Sequence, residues 1–133
     1  MSSKFSQHLV REYKRSSNVS IKLSLGFPIA ADRLHKKELG GGTILDLGVY
    51  TIQMAQLVFG GEMPRVTAAG HLGPGGCDES ASITLTYNDG RTATLVTHSR
   101  AQLPNEVVCH LKQTIKIFIV GCHCWNKGNA QAD

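Results

Sequence analysis

No Gly-x-Gly-x-x-Gly follows an apolar run and opens a helix anywhere in the 133 residues, and Gly40-Gly41-Gly42 lacks that spacing. Without this fingerprint the chain shows no evident place for a dinucleotide. No apolar stretch reaches the ~18 residues that a membrane-crossing helix needs, which excludes a helical membrane span. The first eight residues, Met1 to His8, contain no apolar core of a secretory signal, and the expectation is a cytoplasmic chain. Charge of one sign is also scarce in clusters. The net charge is +4, yet Lys14-Arg15 and Lys36-Lys37 are the only basic pairs and no aromatic residue interleaves with them, which argues against a nucleic-acid partner.

The four cysteines do not form a metal-binding pattern either. Cys122-His123-Cys124 gathers soft donors, with Cys109 and His110 nearby in sequence, but adjacent ligands lack zinc-knuckle spacing and no second paired cluster exists. Free thiols in a reducing compartment are the expectation, with no metal. His71 and His98 fall in expected strands and receive no role.

What is present suits one globular domain with a core of its own: 41% hydrophobic and 18% charged residues. Phe5, Leu9, Val10 and Tyr13 repeat at helical spacing and end at Ser16-Ser17-Asn18, which predicts a short amphipathic N-terminal helix. Val19, Ile21, Leu23, Leu25 and Phe27 alternate with Ser20, Lys22, Ser24 and Gly26, the period of a half-buried strand that Pro28 limits. Ala30 to Glu38 reads as a charged loop. Arg65 to Leu72 forms a second strand, with Val66, Ala68, Gly70 and Leu72 on one face, stopped by Gly73-Pro74-Gly75-Gly76. Ser80 to Tyr87 and Arg91 to Ser99 make a hairpin turned by Asn88-Asp89-Gly90. A last strand runs from Thr114 to Val120. The fold class is therefore α+β: an open, mainly antiparallel or mixed sheet with one covering helix and a short N-terminal helix, and no Rossmann domain. The expected division is 1–18 as helix and linker, 19–120 as the folded domain and 121–133 as a divergent tail.

The chain is organised around Leu39-Gly40-Gly41-Gly42-Thr43-Ile44-Leu45-Asp46-Leu47-Gly48-Val49-Tyr50. Ile44, Leu45, Leu47, Val49, Ile52, Ala55 and Val58 fit a helical period up to the stop at Gly60-Gly61, which predicts a helix over Ile44–Phe59. Asp46 and Tyr50 lie four residues apart and share one face with Gln53 and Leu57. From spacing alone two readings stand. Thr43 with Asp46 can be a capping box beside an ordinary half-buried Tyr50, or the carboxylate and the phenol can face a common site.

The run Gly40 to Tyr50 resembles the active-site helix of the Gfo/Idh/MocA oxidoreductases, whose pattern is three glycines, an Asp, a Gly and a His four after the Asp. Here Tyr replaces that His, as in the branch of the family that acts on a trans-dihydrodiol or an aldose sugar with NADP. The similarity continues through Thr51-Ile52-Gln53, Phe59-Gly60-Gly61, Asp78-Glu79-Ser80 and Lys112 to Ile117, covering about Phe5 to Phe118. Where the family turns through Gly-Thr-Lys-Gly, this chain reads His110-Leu111-Lys112-Gln113.

The resemblance implies that Tyr50 is the general acid/base exchanging a proton with the substrate hydroxyl while a hydride passes to the nicotinamide, and that Asp46 and Leu47 line the substrate pocket. A free phenol titrates near ~10, so such a base needs a neighbouring cation. In the family that cation is a lysine of a Glu-Lys-Pro motif in an N-terminal domain. NADP is implied for the full-length family and is not expected on this chain alone. A homodimer through the sheet is implied as well. Two functions from different classes follow: the substrate-binding C-terminal part of an NADP-dependent oxidoreductase, inactive alone, or a non-catalytic dimerisation or binding module derived from one.

Overall fold

A computed structural model describes residues 19–110 and the strand at 114–118, together with Gln7 and Arg11. Gln7 and Arg11 are helical and exposed; the rest of the expected N-terminal helix, the turn at 111–113 and the Cys122-His123-Cys124 tail lie outside the described residues.

The described residues form one six-stranded sheet. Its strands are β1 (Ser20–Gly26), β2 (Arg65–Leu72), β3 (Asp78–Thr86), β4 (Thr92–His98), β5 (Glu106–His110) and β6 (Thr114–Phe118), in the order β2-β3-β4-β1-β5-β6. In its middle, β1, β3 and β4 alternate apolar and polar residues. Among the described strands only β1 and β4 run parallel, Ser20 beside Thr92 through Gly26 beside His98; every other described pair is antiparallel. The chain reaches β4 from β1 by way of the helix α1 (Val49–Phe59) and the β2–β3 pair, since parallel neighbours cannot be joined by a tight turn. This is the mixed, open α+β architecture the alternation predicts.

The core lies between α1 and one face of the sheet. Val19, Ile21 and Leu23 of the first strand region meet Ile83 and Leu85, Ala93 and Leu95, Val107 and Cys109, under Ala55, Val58 and Phe59 of the helix. Burying each of the larger side chains contributes about 1.5–3 kcal/mol. At the helix end the Arg91 guanidinium lies over the rings of Phe59, 5.1 Å, and Tyr87, 5.4 Å, and its Nη2 donates to Glu62 at 2.9 Å. This clamps the α1 terminus to the β3–β4 hairpin. A second, smaller cluster of Leu25, Phe27, Ile29, Leu34 and Leu47 packs beneath the loops at the far end of β1.

Three features differ from the sequence reading. β5 is an additional strand: Val107, Val108 and Cys109 are all buried, so its run does not alternate and carries no half-buried signature. The face of β2 carrying Val66, Ala68 and Gly70 is exposed, because α1 packs over β1 and β4. The helix itself starts differently. Ile44–Gly48 forms a π-helical turn before α1 begins at Val49, and the buried stripe is Leu47, Thr51, Ala55, Val58 and Phe59. Leu45, Val49 and Ile52, which fit the same helical period, point outward, Leu45 being 63% exposed.

Candidate active site

The C-terminal ends of β1 and β4 and the start of β3 meet at one edge of the sheet, as Gly26 and Ser80 both pair with His98. Against this edge the chain lays two short 3-10 turns, Asp32–His35 and Lys37–Leu39, followed by the three glycines. Each glycine has a separate steric reason. Gly40 closes the second 3-10 turn in the left-handed region, φ 70°. A Cβ on Gly41 would lie 2.6–2.8 Å from the Leu34 and Arg33 carbonyls and the Cys77 sulfur. Gly42 has φ 122°, and a Cβ there would overlap the Asp78 carboxylate.

That carboxylate fixes the start of the helical segment. Asp78 Oδ2 accepts from the Thr43 hydroxyl at 2.5 Å and from the Ile44 amide at 2.8 Å. With its own proton committed to Asp78, the Thr43 oxygen accepts from Thr97, 3.1 Å away. Both threonines are buried. The expected capping box between Thr43 and Asp46 is therefore not formed. An acid from β3 does the capping, and Asp46 is left for another partner.

Asp46 Oδ1 accepts from Nη2 of Arg33 at 2.8 Å. The Asp46 side chain is 18% exposed and that of Arg33 51%, so the pair lies at the surface. Leu47 points the other way, 4% exposed, into the second apolar cluster. Tyr50, in the first turn of α1, is 59% exposed. π-Helical turns occur often at functional sites, and this one separates an inward Leu47 from an accessible Asp46 and Tyr50.

Residues that the sequence reading left without a role complete the surroundings. Glu79 Oε1 accepts two bonds from Arg100, 3.0 Å from Nε and 2.6 Å from Nη2, and lies 3.7 Å from His35 Nδ1. The Arg100 guanidinium holds the Glu79 carboxyl below the usual glutamate range, with His35 and His71 acting in the same direction. His98 Nδ1 accepts from the Arg100 and Ala101 amides, 3.0 and 3.1 Å, which places the proton of the neutral ring on Nε2. The only local hint of this charged lattice was the Asp78-Glu79-Ser80 triplet.

The glycine turn does not cradle a phosphate. The Gly40, Gly41 and Gly42 amides already donate to Lys37, Lys36 and Leu34 carbonyls, and a carboxylate abuts Gly42. The residues here do not fit a dinucleotide pyrophosphate. Among the described residues no group of three or more His, Cys, Asp or Glu is placed to hold a metal ion, and no helix is long and apolar enough to cross a membrane.

Residues 15–121 match the model of the GFO/IDH/MocA C-terminal domain. The chain belongs to the GFO/IDH/MocA family. As members of that family, the trans-1,2-dihydrobenzene-1,2-diol dehydrogenases of Xenopus laevis and Danio rerio are similar to it, 44% identical over 100 residues and 39% over 103. Those alignments cover 73% and 76% of this chain but 30% and 29% of the relatives, so the chain spans about a third of the proteins it matches. The fold is shared with the aldose-aldose oxidoreductase of Caulobacter crescentus, TM-score 0.73 at 23% identity, covering 85% of this chain and 36% of that one. It is shared too with GenD2 from gentamicin A biosynthesis, determined with NAD, TM-score 0.68 at 16% identity, covering 86% and 35%. The match is thus to the C-terminal domain of the family, and the relatives named are diol dehydrogenases by sequence and an aldose-aldose oxidoreductase by fold.

Proposed function

We propose that the chain is the substrate-binding C-terminal part of an NADP-dependent oxidoreductase that acts on a CH–OH group of a trans-dihydrodiol or an aldose sugar. The observation that carries this reading is the accessible Tyr50 on the segment that starts at the glycine turn, with Asp46 held by Arg33. Tyr50 Oη exchanges the proton of the substrate hydroxyl, Asp46 accepts from a second hydroxyl, and Leu47 supports the pocket floor from the apolar cluster. NADP is held elsewhere than at the glycine turn, whose amides are committed. The folded unit is taken as 19–120, flanked by 1–18 and a tail at 121–133, and the protein as cytoplasmic.

The test joins this chain to the dinucleotide-binding part of the Xenopus laevis relative and measures NADP reduction with a trans-dihydrodiol or D-xylose. Turnover is the expected outcome. A folded, NADP-binding chimera with no activity on either contradicts the reading.

A non-catalytic dimerisation module is the second reading, favoured by one observation. The sheet face opposite α1 presents Thr84, Thr86, Thr92, Thr94 and Val96, all half-buried, and no described element covers it. Two copies paired through that face would form a homodimer under either reading. Sedimentation of the chain as a clean monomer at all concentrations would exclude the pairing.

A further inference from the structure

Arg33 and Asp46 are thirteen residues apart, on a 3-10 turn and a π turn, and meet through one hydrogen bond of 2.8 Å. As an exposed ion pair the contact contributes little to stability. Its composition has a clearer use. Among the described residues, Asp46 Oδ2 accepts no hydrogen bond, and Nε and Nη1 of Arg33 donate none. The pair therefore presents a free carboxylate oxygen beside free guanidinium donors, fixed relative to each other by that one hydrogen bond. Each hydroxyl of a vicinal diol both donates and accepts, so one can give its proton to Asp46 Oδ2 while its neighbour accepts from Arg33. A lysine would offer one compact charge there in place of a planar fork able to hold Asp46 and a ligand together.

We propose that Arg33 contacts the substrate directly, forming with Asp46 a two-point clamp for vicinal hydroxyls. The clamp rests on the reading of Asp46, Leu47 and Tyr50 as the substrate site, and adds a specificity-determining residue to it. It selects diols over single alcohols, because a lone hydroxyl leaves one half of the pair unused. Its cation lies 2.8 Å from the Asp46 carboxylate, on the segment that leads into Tyr50.

The isolated 15N-labelled chain tests this by NMR titration with trans-cyclohexane-1,2-diol, D-xylose and, as the single alcohol, cyclohexanol. The Arg33 Nε–H signal and the amides of Asp46, Leu47 and Tyr50 are followed. The clamp predicts that both diols shift all four and that cyclohexanol binds more weakly. Arg33→Met should weaken diol binding roughly tenfold or more, the loss of a charge-assisted contact, while the Ile44 amide keeps its Asp78-bonded position. Diol-induced shifts at Asp46 and Leu47 that leave the Arg33 signal unmoved, or equal affinity for cyclohexanol, or an unchanged dissociation constant in Arg33→Met, overturn the clamp while leaving the substrate site in place. No shift at any of these residues overturns both.

Discussion

Asp78 on β3 accepts from both the hydroxyl of Thr43 and the amide of Ile44, so a carboxylate 34 residues downstream in sequence sets where the site-bearing helical segment begins. The strand edge, and not the segment's own acid, positions Asp46 and Tyr50.

Removing that acid should cost stability as well as geometry. Asp78→Ala deletes the cap and strands the buried Thr43 hydroxyl, and a loss of about 1–3 kcal/mol is expected. Urea unfolding checks this. A change below about 0.5 kcal/mol, the range of a surface substitution, would show that the cap is dispensable.

The glycines should rank in tolerance. Gly40→Ala meets open space and bears only the left-handed backbone strain, on the order of 1–2 kcal/mol, whereas Gly42→Ala adds an overlap with Asp78. Thermal unfolding of the two variants should show Gly42→Ala as the more damaging. The reverse order would mean that the Asp78 side chain yields without cost.

Much of this was legible from local pattern. The β3–β4 hairpin follows from strict alternation around Asn88-Asp89-Gly90, and the limits of β2 follow from Gly73 and Pro74. β5 was not legible, because Val107, Val108 and Cys109 bury both faces and a short apolar run has no period to read. Periodicity placed Leu45, Val49 and Ile52 in a helix without deciding its buried stripe, since an apolar residue on a helix marks only a surface that can be covered, and the packing chose Thr51 and Phe59. The glycine turn and the Asp46–Tyr50 spacing stood out in the sequence. Asp78 stood out only as part of the Asp78-Glu79-Ser80 run and Arg33 not at all, and neither was legible as a partner, since contacts over such separations leave no local signature.

Burial raises the Cys109 thiol from about 9 to about 11. A thiol raised by folding stays neutral in the native state, so its contribution to stability is complete below the unfolded value near 9 and is lost as pH climbs through the folded value near 11. Iodoacetamide at pH 8 should leave Cys109 unlabelled in the native chain and label it in denaturant, read by peptide mass. The alkaline fall in stability between those two values should flatten in Cys109→Ala. Rapid native labelling of Cys109 would place it outside the core.

The central claim is that Tyr50 exchanges the substrate proton. Tyr50→Phe, made in the chimera with the dinucleotide-binding part of the Xenopus laevis relative, keeps the ring and removes only the hydroxyl. Turnover of a trans-dihydrodiol should fall about 10²–10⁴-fold, with the fold and NADP binding of the chimera retained. Turnover at the unmutated rate would contradict the account and leave Tyr50 as one more exposed side chain on the helix.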